Sequence, residues 1–273
     1  MEKKRVLFIS QEITPFLPPS DIANTARKLP QGIQEGGKEI RAFMPRFGCI
    51  NERRHQLHEV IRLSGMNLII NDIDHPLIIK VASVPQAKIQ VYFIDNEDFF
   101  KRKATLTDAN GEFFEDNDER SMFFGRGVLE TVKKLGWKPD IIHCHGWMTA
   151  LTPLYLKKLY QDDPHFHDAK IVYSLYDSSF NKNWDANFIE KLKFDGFKDE
   201  DIAGLKDLDY ETLNKMAINV SDGVIQGSEN INENLSSEIK SSGTPFLEYY
   251  PEESCVKPVD EFYDQIIGEL VEN

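Results

Sequence analysis

Apolar positions along the chain fall into two alternating patterns. Short continuous apolar runs, "RVLFIS" (5–10), "EIRAFMP" (39–45), "PDIIHCH" (139–145), "KIVYSLY" (170–176) and "DGVIQGS" (222–228), read as strands buried on both faces. Helical spacing predicts helices over 21–35, closed by Gly36-Gly37, and over 116–135, 149–159, 210–219, 229–241 and 259–271. In the last of these, Phe262, Ile266, Ile267 and Leu270 share one face, which is expected to pack inward. Between 57 and 95 the period changes. "HEVIRLS", "MNLIIN", "PLIIKVASV" and "IQVYFID" read as antiparallel strands joined by tight turns. Strand–helix repetition predicts an α/β fold: a Rossmann-like parallel sheet with helices on both faces, plus an antiparallel strand insertion at 57–95. The expected organisation is a single domain over 1–273, with neither internal repeat nor low-complexity linker.

Composition narrows the function classes. The 273 residues are 41% hydrophobic, enough for a packed core. A net charge of -13 argues against a nucleic-acid partner and an anionic membrane surface, both of which call for basic patches. Cys49, Cys144 and Cys255 are widely spaced and form no disulfide framework, which fits a reducing compartment. "MEKKRVLFIS" reads as a first strand rather than a signal peptide, and no apolar run approaches the roughly 18 residues of a membrane span. The expected location is cytoplasmic.

The chemistry-bearing stretch is "PDIIHCHGWMTALTPLYLKKL" (139–159). Residues i and i+2 of a strand face the same side, so His143 and His145 share a face at a strand's carboxyl end. A zinc site needs further ligands. A second His-x-His, His165 and His167, lies in a predicted loop, and no sequence cluster supplies a third ligand to the first. Neither a metal nor a cofactor is therefore expected. The two histidines are expected to hydrogen-bond and fix the strand-to-helix turn, with Cys144 on the opposite face as a small buried residue. In open parallel sheets the ligand crevice lies outside the strands' carboxyl ends. That makes 11–20, 143–149 and 176–183 the loops of interest. Trp147 can serve there as a packing residue or as the wall of a sugar site. Asp177 is a possible acid–base group, but it lacks an identifiable partner carboxylate.

Six stretches, in order, resemble bacterial glycogen synthases and plant starch synthases. "RVLFISQEITPF" is similar to their opening strand followed by S-E-x-x-P-F. "LPQGIQEGGKEIRAFMPRFG" resembles L-P-x-x-L-x-x-x-G-H-x-V-x-x-x-x-P-x-Y-G, and "VYFIDNEDFFKR" resembles V-Y-x-I-D-x-x-x-x-F-x-R. "DNDERSMFFGRGVLE", "PDIIHCHGWMTALTPLYLK" and "VSDGVIQGSENINENL" continue the series to about residue 240. The resemblance implies the GT-B architecture, two Rossmann-like domains that transfer glucose from ADP-glucose to an α-1,4-glucan across a shared cleft. The matches cover only the amino-terminal domain of that family. The roughly 30 residues after the last match fall short of the ~100 of a second domain.

Departures from the family pattern fall at chemically important places. Where the family opens its first long helix with K-x-G-G-L, this chain has Pro18, Pro19, Ser20, Asp21 and Ile22. A lysine and glycine amides at a helix start can hold a diphosphate. Two prolines remove two donors, and Asp21 places a negative charge there. Tyr176 stands at the histidine that the resemblance assigns to the transferred glucose, with Asp177 in place of an asparagine. Gly146 replaces an aspartate, while Trp147 and Thr149 are retained. The candidate cleft residues are therefore His143, His145, Trp147, Thr149, Tyr176 and Asp177. Pro18, Pro19, Ser20 and Asp21 form a degraded donor-phosphate loop, and no catalytic residue is assigned. The expectation is a glycogen synthase-like protein, non-catalytic alone, that binds α-1,4-glucan or a protein partner covering the strand carboxyl ends. The alternative expectation is an active or partner-completed synthase.

Overall fold

The computed structural model describes residues 3–205 and 208–268. Among these residues the strands are β1 (Arg5–Ser10), β2 (Glu39–Pro45), β3 (His58–Glu59), β4 (Met66–Ile70), β5 (Ile73–Val84), β6 (Ile89–Asp95), β7 (Ile141–His145), β8 (Lys170–Leu175), β9 (Gly223–Gln226) and β10 (Phe246–Leu247). The helices are α1 (Asp21–Glu35), α2 (Glu52–His55), α3 (Glu97–Phe100), α4 (Asn117–Leu135), α5 (Leu151–Lys158), α6 (Phe188–Phe194), α7 (Asp199–Ile202), α8 (Tyr210–Val220), α9 (Glu233–Ser242) and α10 (Val256–Ile266).

The strands form one sheet in the order β10-β9-β8-β7-β1-β2-β6-β5-β3, with β4 paired to β5. From β10 to β6 every pairing is parallel. Strand β5 runs antiparallel to β6, β3 and β4. The fold is thus α/β with a mixed sheet, as the periodicity predicts. The antiparallel insertion at 57–95 is present, and its last strand, β6, joins it to the parallel core. Strand β6 pairs parallel with β2 on one side and antiparallel with β5 on the other. The connection through β3, β4 and β5 is long enough to make the crossover that parallel pairing requires.

The chain leaves β1 in opposite directions, to β2 on one side and β7 on the other, which makes the β1–β7 gap the topological switch point. Helices α1 and α10 contact each other on one face, and α4, α5 and α8 pack together on the other. Helix α10 begins at Val256, three residues before the 259–271 expected from sequence. Pro258 sits in its first turn, where a missing N–H costs nothing. Gly268, at φ 78°, follows its end. The buried face is Val259, Phe262 and Tyr263, with Ile266 and Ile267 partly buried against the core. Leu270 lies outside the described residues.

Candidate functional site

The switch point is plugged by this chain's own side chains. Gly146, just after β7, has φ 83° and ψ 162°, a backbone region open essentially to glycine. A Cβ there would also lie 2.5 Å from Gln11 Oε1. This accounts for the glycine where the family pattern has aspartate. The Gln11 carboxamide fills the gap: its Oε1 accepts from Met148 N at 3.2 Å, and its backbone N–H donates to His145 O at 3.3 Å. Thr149 is fully buried and donates to Gly146 O at 2.7 Å, closing the turn.

His143 and His145 are both fully buried, with ring centroids 3.8 Å apart. Their hydrogen bonds do not go to the strand-to-helix turn, as the sequence suggested. His143 pairs with Tyr263 Oη of α10 at 2.5 Å and with Ser174 Oγ of β8 at 2.7 Å. His145 Nδ1 pairs with Tyr176 Oη at 2.8 Å, while its Nε2 has no partner. Burial, with the His145 charge adding to it, holds His143 well below the usual imidazole range. Burial alone takes His145 down to about 3. Both rings are therefore neutral at pH 7. Cys144 is buried, and desolvation pushes its thiol up.

Tyr176 is 2% exposed. Its ring packs so closely on Gly227 that a Cβ there would sit 2.5 Å from Cε1. Its hydroxyl is committed to His145, and its carbonyl accepts from Tyr210 Oη at 2.7 Å. Burial raises its phenol well above the ordinary value. The side chain points into the protein. Asp177 is exposed, and its backbone N–H donates to Ser228 Oγ at 3.1 Å.

The start of α1 is occupied as well. Ser20 caps it, accepting from Ala23 N at 3.0 Å through Oγ and from Asn24 N at 2.9 Å through its carbonyl. The Ser20 hydroxyl donates to Glu12 Oε2 at 2.6 Å. The Asp21 carboxylate accepts from Ser228 Oγ at 2.8 Å, tying this turn to the loop after β9. Pro18 and Pro19 are exposed on the preceding loop.

Trp147 is 2% exposed beneath a cluster of rings. Phe113 lies 5.5 Å from it, Phe180 4.8 Å and Trp184 6.3 Å, centroid to centroid. Phe113 and Phe180 stack at 4.7 Å. Two cavities of about 330 and 340 Å³ adjoin this cluster, both lined by Phe113 and Lys182. Trp147, Phe180, Glu112 and Asn181 line the first, and Phe114, Trp184, Asn183 and Asp185 the second. Together they form a groove of partly exposed rings rimmed by amides and charged groups. Sequence reasoning missed Phe113, Phe180 and Trp184. The signal was the interleaving of aromatic with Asn, Lys and Asp side chains in "SSFNKNWDANF", next to Tyr176.

Among the described residues, no group of three or more His, Cys, Asp or Glu is placed to hold a metal ion. His165 and His167 pair instead with the neighbouring Asp163 and Asp168. No helix among these residues is long and apolar enough to cross a membrane.

The starch synthase catalytic domain family matches residues 5–245. This chain belongs to that family. Its sequence is 44% identical over 173 residues to a glycogen synthase of Chlorobium limicola, covering 63% of this chain and 35% of the relative. It is 36% identical over 219 residues to that of Chlorobaculum tepidum, covering 76% and 45%. The chain thus matches well under half the length of these curated relatives. The catalytic domain of starch synthase IV from Arabidopsis thaliana, solved bound to ADP and acarbose, superposes with a TM-score of 0.74 at 20% identity. That match covers 90% of this chain and 51% of the other. The fold matches about half of a GT-B starch synthase catalytic domain, 51% of that chain. Within this family member, the retained His143, His145, Trp147 and Thr149 are all interior, and the substituted Ser20, Asp21 and Tyr176 are tied to neighbouring side chains.

Proposed function

We propose that this starch synthase family chain binds α-1,4-glucan in the groove beside Trp147 and does not itself transfer glucose. One observation carries the second half of the reading. At the family's glucose-contacting position stands Tyr176, buried and hydrogen-bonded to His145. The first half rests on the composition of the groove. Saccharide sites combine apolar, ring-bearing walls with a few polar groups that fix orientation. Phe113, Phe114 and Phe180 offer partly exposed ring surface to sugar C–H groups, and Asn181, Asn183, Glu112 and Asp185 offer donors and acceptors to the hydroxyls.

Binding to a linear glucan is expected to be weak, with dissociation constants on the order of millimolar, about -4 kcal/mol. Affinity electrophoresis through gels containing glycogen tests it. Wild-type protein should be retarded, and Phe180→Ala and Phe113→Ala should weaken retardation about tenfold. Migration of the wild type at the same rate with and without glycogen would remove the glucan reading.

A further inference from the structure

A second cavity, of about 560 Å³, lies between the β1–α1 loop, α1 and the segment that follows β2. It shares no lining residue with the aromatic groove. One wall is apolar and stiff, formed by Pro15, Phe16, Leu17, Pro18 and Pro19. The basic side chains that line it are Arg27, Arg54 and His55, and no carboxylate is among the lining residues. In a chain with 45 acidic and 32 basic residues, a concave surface of this kind stands apart.

Among the described residues neither arginine forms an ion pair. Among the described residues Arg27 makes one long hydrogen bond, 3.5 Å to Pro85 O, and no ion pair. The Arg54 guanidinium has no carboxylate partner there, and only its backbone N–H is engaged, by Asn51 Oδ1. His55 meets the Phe16 ring edge-on at 5.2 Å. Partial burial, and after it the Arg54 charge, lower its imidazole below the usual value. The two guanidinium groups make the lining positive. Asn24 and Asn51 add side-chain amides to the same lining.

We propose that this cavity binds a phosphate monoester carried on a compact apolar or ring-shaped body. The guanidinium groups of Arg27 and Arg54 take the phosphate dianion, since planar forked donors match its oxygens. The Asn24 and Asn51 amides donate to the remaining oxygens, and the Pro–Phe–Leu–Pro–Pro wall covers the organic part. A small molecule fits better than an extended polyanion, because the surface beyond the cavity belongs to a chain of net charge -13 that repels one. No covalent step is involved. The site is independent of the glucan groove, and neither reading requires the other.

Isothermal titration calorimetry of the full chain with phenyl phosphate and with inorganic phosphate tests the assignment. Phenyl phosphate should bind about tenfold more tightly than inorganic phosphate, because the apolar wall contacts only the ester. Arg27→Ala and Arg54→Ala should each weaken phenyl phosphate about tenfold, and added potassium chloride should weaken it further. Arg54 is exposed and Arg27 unpaired, so both variants should keep the wild-type circular dichroism spectrum and melting temperature. Three outcomes would each overturn the proposal. One is the absence of heat from phenyl phosphate at about 10 mM. The others are unchanged affinity in both arginine variants, and inorganic phosphate binding as tightly as the ester.

Discussion

Two neutral imidazoles with ring centroids 3.8 Å apart, tilted to each other and sealed from water, make the centre of this protein sensitive to acid. Burial depresses both folded-state values, His145 to about 3. An unfolded histidine titrates near 6.5, so between the two values the unfolded chain binds more protons than the folded one. Stability is therefore complete above pH ~6.5 and is lost as the pH falls toward the folded value. Replacing His145 with glutamine removes one of the two contributions. Urea midpoints measured from pH 7 to pH 4.5 should fall less steeply for His145→Gln than for wild type, by up to about 1.4 kcal/mol per pH unit. Parallel pH profiles would show that His145 is protonated in the fold, against this account. The shared face of these histidines was legible from their spacing alone. Their partners were not. Tyr263 lies 120 residues away from His143, and nothing local in "DEFYDQI" marks its hydroxyl as a buried hydrogen-bond partner. The same holds for Tyr176. The sequence showed that a histidine had become a tyrosine, while only the packing on Gly227 shows that the new side chain turns inward.

At the scale of elements, the contact between α1 and α10 explains a glycine in the last turn of α1. Gly32 costs α1 about 1 kcal/mol in helix propensity relative to alanine. It is nonetheless required, because a Cβ at that position would lie 2.5 Å from Val256 Cγ1. Valine is stiff at χ1 and cannot swing aside. Gly32→Ala should therefore destabilise the protein by about 1–3 kcal/mol, overpacking outweighing the propensity gain. Adding Val256→Ala makes room for the methyl group, so the double variant should recover most of that loss. Thermal or urea unfolding of the two single variants and the double variant measures this coupling. A double variant no more stable than Gly32→Ala would mean that α10 is not held against α1 in this way. The helix's amphipathic face was readable from sequence, but its start was not. Pro258 resembled a boundary, whereas a proline in a first turn is well tolerated. The antiparallel pairing of β6 with β5 was legible from the change of pattern at 57–95, whereas periodicity carries no information about the parallel partner β2.

For the molecule as a whole, the question is whether a starch synthase fold with these substitutions can handle a nucleotide sugar. ADP-glucose carries singly charged phosphates and no terminal dianion, so it does not match the cavity at Arg27 and Arg54. The resemblance implies a place for it at the start of α1, where free amides and a lysine would replace solvating water. Here Ser20 Oγ occupies the amide of Ala23, Asp21 brings a carboxylate, and Pro18 stands where the resemblance implies a lysine. A net charge of -13 adds long-range repulsion. Losing one group that stabilises developing charge commonly costs about 3 kcal/mol, or a hundredfold in rate. With Pro18, Asp21 and Tyr176 standing where the resemblance implies a lysine, a glycine and a glucose-contacting histidine, transfer by this chain is expected to fall below detection. The measurement is incorporation of labelled glucose from ADP-glucose into glycogen, using protein from a host that lacks its own synthase. The glycogen gels run beside it should still show retardation, because a neutral glucan and the Phe113–Phe180 groove make no use of charge at α1. Incorporation that rises in proportion to protein, and disappears when Tyr176 is changed to phenylalanine, would show that the tyrosine hydroxyl leaves His145 to act on the sugar. The chain would then be a working synthase rather than a glucan-binding relative.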